Sequence, residues 1–371
     1  MRGRLVDALP GWTREGAVQR PPVIGVLAGE GIGPEVVRVA LEVLEALAGA
    51  AGVRLDVRHG GAIGAEARRL TGRSLTQDTA RFCEEVFAAG GALFCGPGGA
   101  RFVYELRKRF DLFCKFTPLA PMPGLEDAGA LRPERLAGVD IVAVRENVGG
   151  LYFGEGGREA DASGRATAFQ RFAYREDQVD RILGVAARLA ARRRGELAVV
   201  IKREGVPAIS ELWLEGIERL DGRGIRIEVL DIDNAVYQLV ARAQRFDVIV
   251  SSNMFGDVLA DCGALLLGSR GLSYSGNFGP PGRAVFQTGH GAAHDIEGTG
   301  TANPSGQILS AAMMLEESFG WVEGARRVRA SLAAVLGRGL RTADVAGHGH
   351  RVVGTREFGA AVRDALREAA G

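Results

Sequence analysis

The sequence predicts an α/β protein of two domains, and three observations carry that reading. Short β-branched runs alternate with longer stretches of helical periodicity. Several of the runs, VAV and VIV among them, are apolar at consecutive positions, which places those strands in a sheet covered on both faces. The chain has 371 residues, more than one small core usually gathers.

Each element has its own signal. VIGVLA (23–28) reads as a strand, with a helix following from Pro34, where the missing N–H costs no hydrogen bond. Ser74 and Gln77 have the form of a capping box for a helix through about Ala88. GALFCG (91–96) is a strand that ends in the glycine turn GPGG. DIVAVRE (140–146), ELAVVIK (196–202), IRIEVLDI (225–232) and FDVIVSS (246–252) are further strands. Helices are expected near 176–194, near 208–220, from about Asn234 and after Asn253, then near 304–319, 322–336 and 355–369. The alanine- and arginine-rich text near 186–195 reads as a solvated helix face, and no internal repeat is visible.

Composition excludes several classes. Lys+Arg is 46 and Asp+Glu is 45, so a net charge of +1 gives no bulk attraction to nucleic acid or an anionic membrane. No apolar run approaches the roughly 18–20 residues of a membrane span. The opening MRGRLVDALPGWTREGAVQRPP (1–22) lacks the apolar core of a secretory signal and reads as a loose polar arm. Cys83, Cys95, Cys114 and Cys262 stand far apart, which fits reduced thiols in a cytoplasm rather than a zinc site or disulfide framework.

The chemistry concentrates in a few places. GEGIGPE (29–35) is not the G-x-G-x-x-G dinucleotide fingerprint, so it reads as a tight loop and not as a Rossmann turn. SSNMFGDVLADCG sets Asp257 and Asp261 four residues apart on one helical face, where like charges repel by roughly 0.2–0.5 kcal/mol. Arginines could satisfy the pair. So could a divalent cation, with Asp231 or Asp233 as a third carboxylate. Lys202 ends an apolar strand, where desolvation would lower its pKa and suit it to proton transfer. Arg145 ends another strand and can read a carboxylate in bidentate fashion. Tyr152 beyond the double glycine is a proton donor candidate. Arg107, Lys108 and Arg109 form a basic cluster, one of which could face an acidic substrate. The segment 289–306 is glycine-rich, with two histidines and Asp295, and has the character of a long functional loop.

Together GEGIGPEV, FDVIVSSNMFGDVLAD, HGAAHDIEGTGTANP and ILSAAMML resemble, in order, motifs of the β-decarboxylating dehydrogenases that act on isopropylmalate, isocitrate, homoisocitrate and tartrate. The resemblance runs from about Val23 to Ala312. It implies the two-domain isopropylmalate/isocitrate dehydrogenase-like fold, an obligate homodimer and a cleft between domains. The expected division is a first, cofactor-binding domain of 23–112 plus 268–371 and a second, substrate, metal and dimerisation domain of 113–267. It implies oxidative decarboxylation of a 3-substituted malate with NAD and Mg²⁺ or Mn²⁺. Arg107 and Arg145 would hold substrate carboxylates. Tyr152 would help protonate the enol, and Lys202, through Asp233, would remove the hydroxyl proton. Asp257, Asp261 and Asp233 would bind the metal, with Lys202 and Asp233 coming from the partner subunit. His290, Gly291 and Asn303 would meet the cofactor, and Asp295 its ribose. Asp295 followed by Ile296 resembles the NAD-using members.

The chain departs from the family pattern at three places. Thr117 stands where the family has an arginine that grips a substrate carboxylate, and Lys115, two residues away, is expected to face another direction on the strand. The segment after Lys202 is one residue longer than usual and lacks its asparagine. Gln287 replaces a glutamate. In addition, Val103 and Tyr104 occupy the positions that tune the pocket for the 3-substituent, and they match neither the isopropylmalate nor the isocitrate pattern. The expectation is therefore a non-standard 3-substituent. A tartrate- or malate-type dehydrogenase without obligatory decarboxylation and a non-catalytic regulatory homologue are the alternatives.

Overall fold

The computed structural model describes residues 3–12, 21–220 and 224–368. Strand and helix alternate as the periodicity requires. The first part runs β1 (Val23–Leu27), α1 (Gly33–Ala51), β2 (Asp56–His59), α2 (Gly64–Thr71), α3 (Gln77–Ala88), β3 (Ala92–Cys95) and α4 (Phe102–Phe110). The middle part runs β4 (Cys114–Leu119), α5 (Pro133–Leu136), β5 (Ile141–Glu146), β6 (Gly156–Ala160), β7 (Ala166–Gln170), α6 (Glu176–Ala191), β8 (Glu196–Ile201), α7 (Pro207–Arg219), β9 (Arg226–Asp231), α8 (Ile232–Ala241), β10 (Val248–Ser251) and α9 (Asn253–Gly263). The last part runs β11 (Tyr274–Phe278), β12 (Ala284–Thr288), α10 (Ser305–Glu317), α11 (Val322–Gly337), β13 (Leu340–Arg341), β14 (Arg351–Val352) and α12 (Thr355–Glu368).

Ten strands form one sheet in the order β2-β1-β3-β12-β11-β4-β5-β10-β8-β9. Pairing is parallel in both outer halves. It is antiparallel at the three central junctions, β12 with β11, β11 with β4 and β4 with β5. We retain the two-domain division as a proposal. Its boundaries assign β11 to one domain and β4 to the other, and these two strands are hydrogen-bonded neighbours. β11 escapes a sequence reading because Gly276 and Asn277 are poor strand formers, held here by ladders on both sides.

Three local expectations are corrected. The start of the chain is not a loose arm where it is described: Val6, Ala8, Leu9 and Trp12 are buried in the main core. The carboxylate of buried Glu317 on α10 accepts from the backbone N–H groups of Leu5 and Val6 (3.2 and 3.0 Å). Arg188 Nε on α6 donates to the Ala8 carbonyl at 2.7 Å, and Trp12 Nε1 donates to the Gly279 carbonyl at 3.0 Å. The apolar residues of LVDALPGW are too few to show a period, so charge dominated the reading. Residues 1–2 and 13–20 of that arm lie outside the described residues. The cap of α3 is Thr76, whose side chain accepts from Thr79 N, and not Ser74. The arginine run after α6 is not simply solvated, since the Arg193 side chain is buried and pairs with fully buried Asp247 at 2.7 Å.

The docked segment yields two expectations. Trp12→Ala should cost about 3–5 kcal/mol, read by urea denaturation; an unchanged midpoint would mean the segment adds nothing. Burial pushes the Glu317 carboxyl up to about 8. Its contribution is therefore full below the ordinary glutamate range and is lost as pH rises through about 8. Glu317→Gln should flatten the stability profile across that window.

Candidate functional site

The site is built on strand register. Lys115 on β4 lies directly opposite Arg145 on β5, with Asn277 of β11 on its other side. Cross-strand partners share a face of the sheet, so two cations sit side by side. Arg145 then passes beneath α9, where a Cβ on Gly256 would stand 2.8 Å from Arg145 Cγ. Only glycine leaves room for that approach. Asn253 at the start of α9 is fully buried and accepts from Arg145 Nε (3.0 Å) and Nη2 (2.7 Å), while its own amide donates to the Gly149 carbonyl (2.9 Å). Arg145 Nη1 donates to Asp257.

Asp257 and Asp261 do share one face of α9, as the spacing predicts, and their repulsion is relieved by arginine. Asp257 takes Arg145, and Asp261 takes Arg270 Nη2 at 3.1 Å. Burial raises the Asp257 carboxyl, but Arg145, Lys115, the Tyr152 hydroxyl and Arg107 outweigh it and hold it below its ordinary value. Tyr152 Oη donates to Asp257 Oδ2 at 3.0 Å, and burial and Asp257 push the phenol up to about 12.

Lys115, Arg145, Asp257, Asp261 and Arg270 line one cavity of about 300 Å³, together with Val103, Tyr104 and Arg107 from α4, Gln287 from β12 and His290 and Gly291 just beyond it; Tyr152 reaches it only through Asp257 and Tyr104. Of the basic cluster only Arg107 is buried; Lys108 and Arg109 are exposed, and Arg109 pairs with Glu84. Burial and Arg145 push the Arg107 guanidinium down to about 9, which still leaves it charged at neutral pH. Tyr104 stacks edge-on against Tyr152, with ring centroids 5.5 Å apart, and the Arg101 guanidinium lies 4.9 Å over its ring.

Lys115 does not face away. It lines the cavity, because residues i and i+2 of a strand point to the same side. Thr117 is buried on that same strand and does not line the cavity.

A second cavity of about 470 Å³ shares Arg270, His290 and Gly291 with the first and continues past Ile32, Ile296 and Asn303. The loop GEGIGPE is tight, as expected: Ile32 N donates to the Ala292 carbonyl at 2.9 Å, and a Cβ on Gly31 would stand 2.0 Å from that oxygen. His290 Nδ1 lies 2.9 Å from the Gly291 carbonyl, and the buried Nε2 has no partner among the described residues. Burial lowers the imidazole pKa. Asp295 is exposed and does not line this cavity. Asp344, which the sequence reading missed, does line it and accepts from Asn303 Nδ2 at 3.0 Å. Asn253 and Asp344 carried no signal, one the first residue of a helix and the other a lone acid in RTADV, and their place in the site comes from long-range contacts.

Lys202 and Asp233 stand apart from both cavities. Lys202 Nζ is 2.5 Å from Asp233 Oδ1, with both side chains open to solvent. The desolvated lysine expected from the strand end is not present in the single chain, and the hydrogen bond to Asp233 raises the Lys202 pKa. Nor do three His, Cys, Asp or Glu side chains converge as a metal site among the described residues. Asp257 and Asp261 are hard oxygen donors that fit Mg²⁺ or Mn²⁺, and no third acidic, His or Cys side chain joins them among the described residues. The unpartnered His290 Nε2 fits a polar cofactor in the second cavity.

Fold and cavities define an α/β protein whose main cavity gathers buried cations and two carboxylates of one helix. Residues 23–362 match the isocitrate/isopropylmalate dehydrogenase family. The chain is similar to the 3-isopropylmalate dehydrogenase of Synechococcus sp. (strain JA-3-3Ab), 38% identical with 93% of each chain covered. It is 36% identical to the 3-isopropylmalate dehydrogenase of Methylococcus capsulatus, covering 93% of this chain and 98% of that one. Among solved structures, isocitrate dehydrogenase from Methylococcus capsulatus superposes with a TM-score of 0.83 at 30% identity, covering 93% of this chain and 99% of that one. The chain belongs to the isocitrate/isopropylmalate dehydrogenase family, and the fold is that of its members. It is accordingly an oxidoreductase acting on the CH–OH group of a hydroxy acid.

Asn253→Ala should leave the Arg145 guanidinium without its buried acceptor, at about 1–3 kcal/mol, and reduce turnover in a protein that still folds. Full activity in that variant would remove Asn253 from the account.

Proposed function

We propose that the protein is an NAD- and divalent-cation-dependent dehydrogenase that oxidises a 3-substituted malate at its 2-hydroxyl and releases CO₂. One observation carries this reading: Arg107, Lys115, Arg145 and Arg270 face only Asp257 and Asp261 in a single cavity. A dianionic substrate supplies the missing negative charge. Buried charge left unpaired costs several kcal/mol in general.

Arg107 and Arg145 hold the two carboxylates. Arg145 Nη1, bound to Asp257 here, is the donor released when Asp257 and Asp261 turn to a cation. A cation held by Asp257 and Asp261 would offset negative charge on the substrate's 2-oxygen, and NAD held at His290, Gly291 and Asn303 would supply the hydride acceptor for C2. Asp295 and Ile296 remain our candidates for the ribose side. Lys202, through Asp233 or a water, removes the hydroxyl proton. The pair enters from the partner subunit, where loss of solvent lowers the lysine pKa. The C3–carboxylate bond then breaks, its electron pair forms the enol, and Tyr152 supports protonation at C3.

Support for a homodimer comes from exposed apolar side chains near these groups, Tyr237 on α8, Val258 on α9 and Leu265 just beyond it. The β6–β7 hairpin, exposed along most of its length, adds to it. Val103 and Tyr104, with Arg101 stacked on the latter, make a wall more polar than paired leucines, which supports a non-standard 3-substituent. A cytoplasmic setting accords with four free cysteines, three of them buried. Among the described residues no helix is long and apolar enough to cross a membrane.

NADH formation at 340 nm with Mn²⁺ should distinguish 3-isopropylmalate, isocitrate, homoisocitrate and tartrate. It should stop on chelation and return with metal. Failure of these four alone would point to an unlisted 3-substituent; no turnover of any 3-substituted malate, with NAD still binding, would contradict the reading. Mixing Lys202→Ala with Asp257→Asn protein under subunit exchange should recover about one quarter of wild-type activity, since half the sites in hybrid dimers are intact. No recovery would place Lys202 outside the shared site.

A further inference from the structure

We propose that Lys115 is a substrate-binding residue of this chain, its ammonium holding one carboxylate of the dicarboxylate as a point charge, and that Thr117 takes no part. The inference rests on the function proposed above. Four observations lead to it. The side chain is 6% exposed, yet it lines the cavity that holds Asp257 and Asp261. No described side chain forms an ion pair or hydrogen bond with its ammonium. Its cross-strand neighbour is another cation, Arg145, and Arg107 on α4 faces it as well. The acids that face it, Asp257 and Asp261, are already engaged by Arg145 and Arg270.

A lysine that served packing alone would be a poor occupant of such a place. Burial, Arg145 and Arg107 together push it down to about 7, with Asp257 and Asp261 opposing. The free protein is therefore destabilised by this residue, and an entering carboxylate relieves the cost. The strand geometry explains why position 115 serves and 117 does not: both point to one side, but only Lys115 is in register with Arg145 and open to the cavity. An ammonium differs from the arginine fork found in relatives. It sets no plane for the carboxylate and makes one contact where a guanidinium makes two.

Three variants and racemic malate as a calorimetric probe test this. Lys115→Met should weaken malate binding about 10- to 100-fold, as expected for a hydrogen bond to a charged group. It should raise KM for whichever dicarboxylate the wild type turns over far more than it lowers kcat. The same variant should also unfold at a higher temperature than wild type in the absence of ligand, because an unpaired buried charge is gone. A purely structural lysine would show the reverse. Thr117→Val should bind malate within about 2-fold of wild type. Lys115→Arg should regain part of the lost affinity, since it keeps the charge with altered geometry. If Lys115→Met binds malate as wild type does, the assignment falls while the proposed function stands. If wild type neither binds malate nor turns over any dicarboxylate, the proposed function falls and takes the assignment with it.

Discussion

Positive charge that the chain does not neutralise on its own governs the site. The β4–β5 register forces Lys115 beside Arg145, and α4 adds Arg107. Local features then serve to hold these cations in place. Asn253 clamps one guanidinium, Gly256 lets it pass under α9, and Asp257 takes one of its donors. Two helix carboxylates offset part of the charge, and the remainder is an electrostatic demand for an anionic ligand. A site preorganised in this way exchanges some folding stability for binding and catalysis.

Much of this was legible in the sequence because the relevant signals are local. The i, i+4 spacing of Asp257 and Asp261 put both on one face, and the apolar runs that end in Arg145 and Lys202 placed each beside a strand end. The illegible parts depend on partners far along the chain. Arg145 with Asp257, the Asn253 clamp and Asn303 with Asp344 join groups 112, 108 and 41 positions apart. The docking of residues 3–12 also depends on Glu317, more than 300 positions away. Lys115 failed for a different reason. Strand period is two, so a residue two positions from Thr117 shares its side, and the expectation that it faces elsewhere misapplied that period.

The pattern of exposure bears on the quaternary proposal. Lys202 and Asp233 satisfy one another at the surface of a single chain, outside either cavity. Nearby, Tyr237 and Val258 leave apolar surface in water. Our proposal that a second copy brings Lys202 and Asp233 to the cavity accords with that exposure. Our proposal of a non-standard 3-substituent rests on Val103 and Tyr104 in the cavity wall, with Arg101 stacked on Tyr104.

We propose that Asp257 and Asp261 form a cation site that Asp233 of a second copy completes. Counting bound Mn²⁺ per chain by electron paramagnetic resonance, in wild type and in Asp233→Asn, tests it most directly. The account predicts one tight site per chain in wild type and at least tenfold weaker binding in Asp233→Asn, as for loss of one charged ligand. Undiminished binding in Asp233→Asn would contradict it.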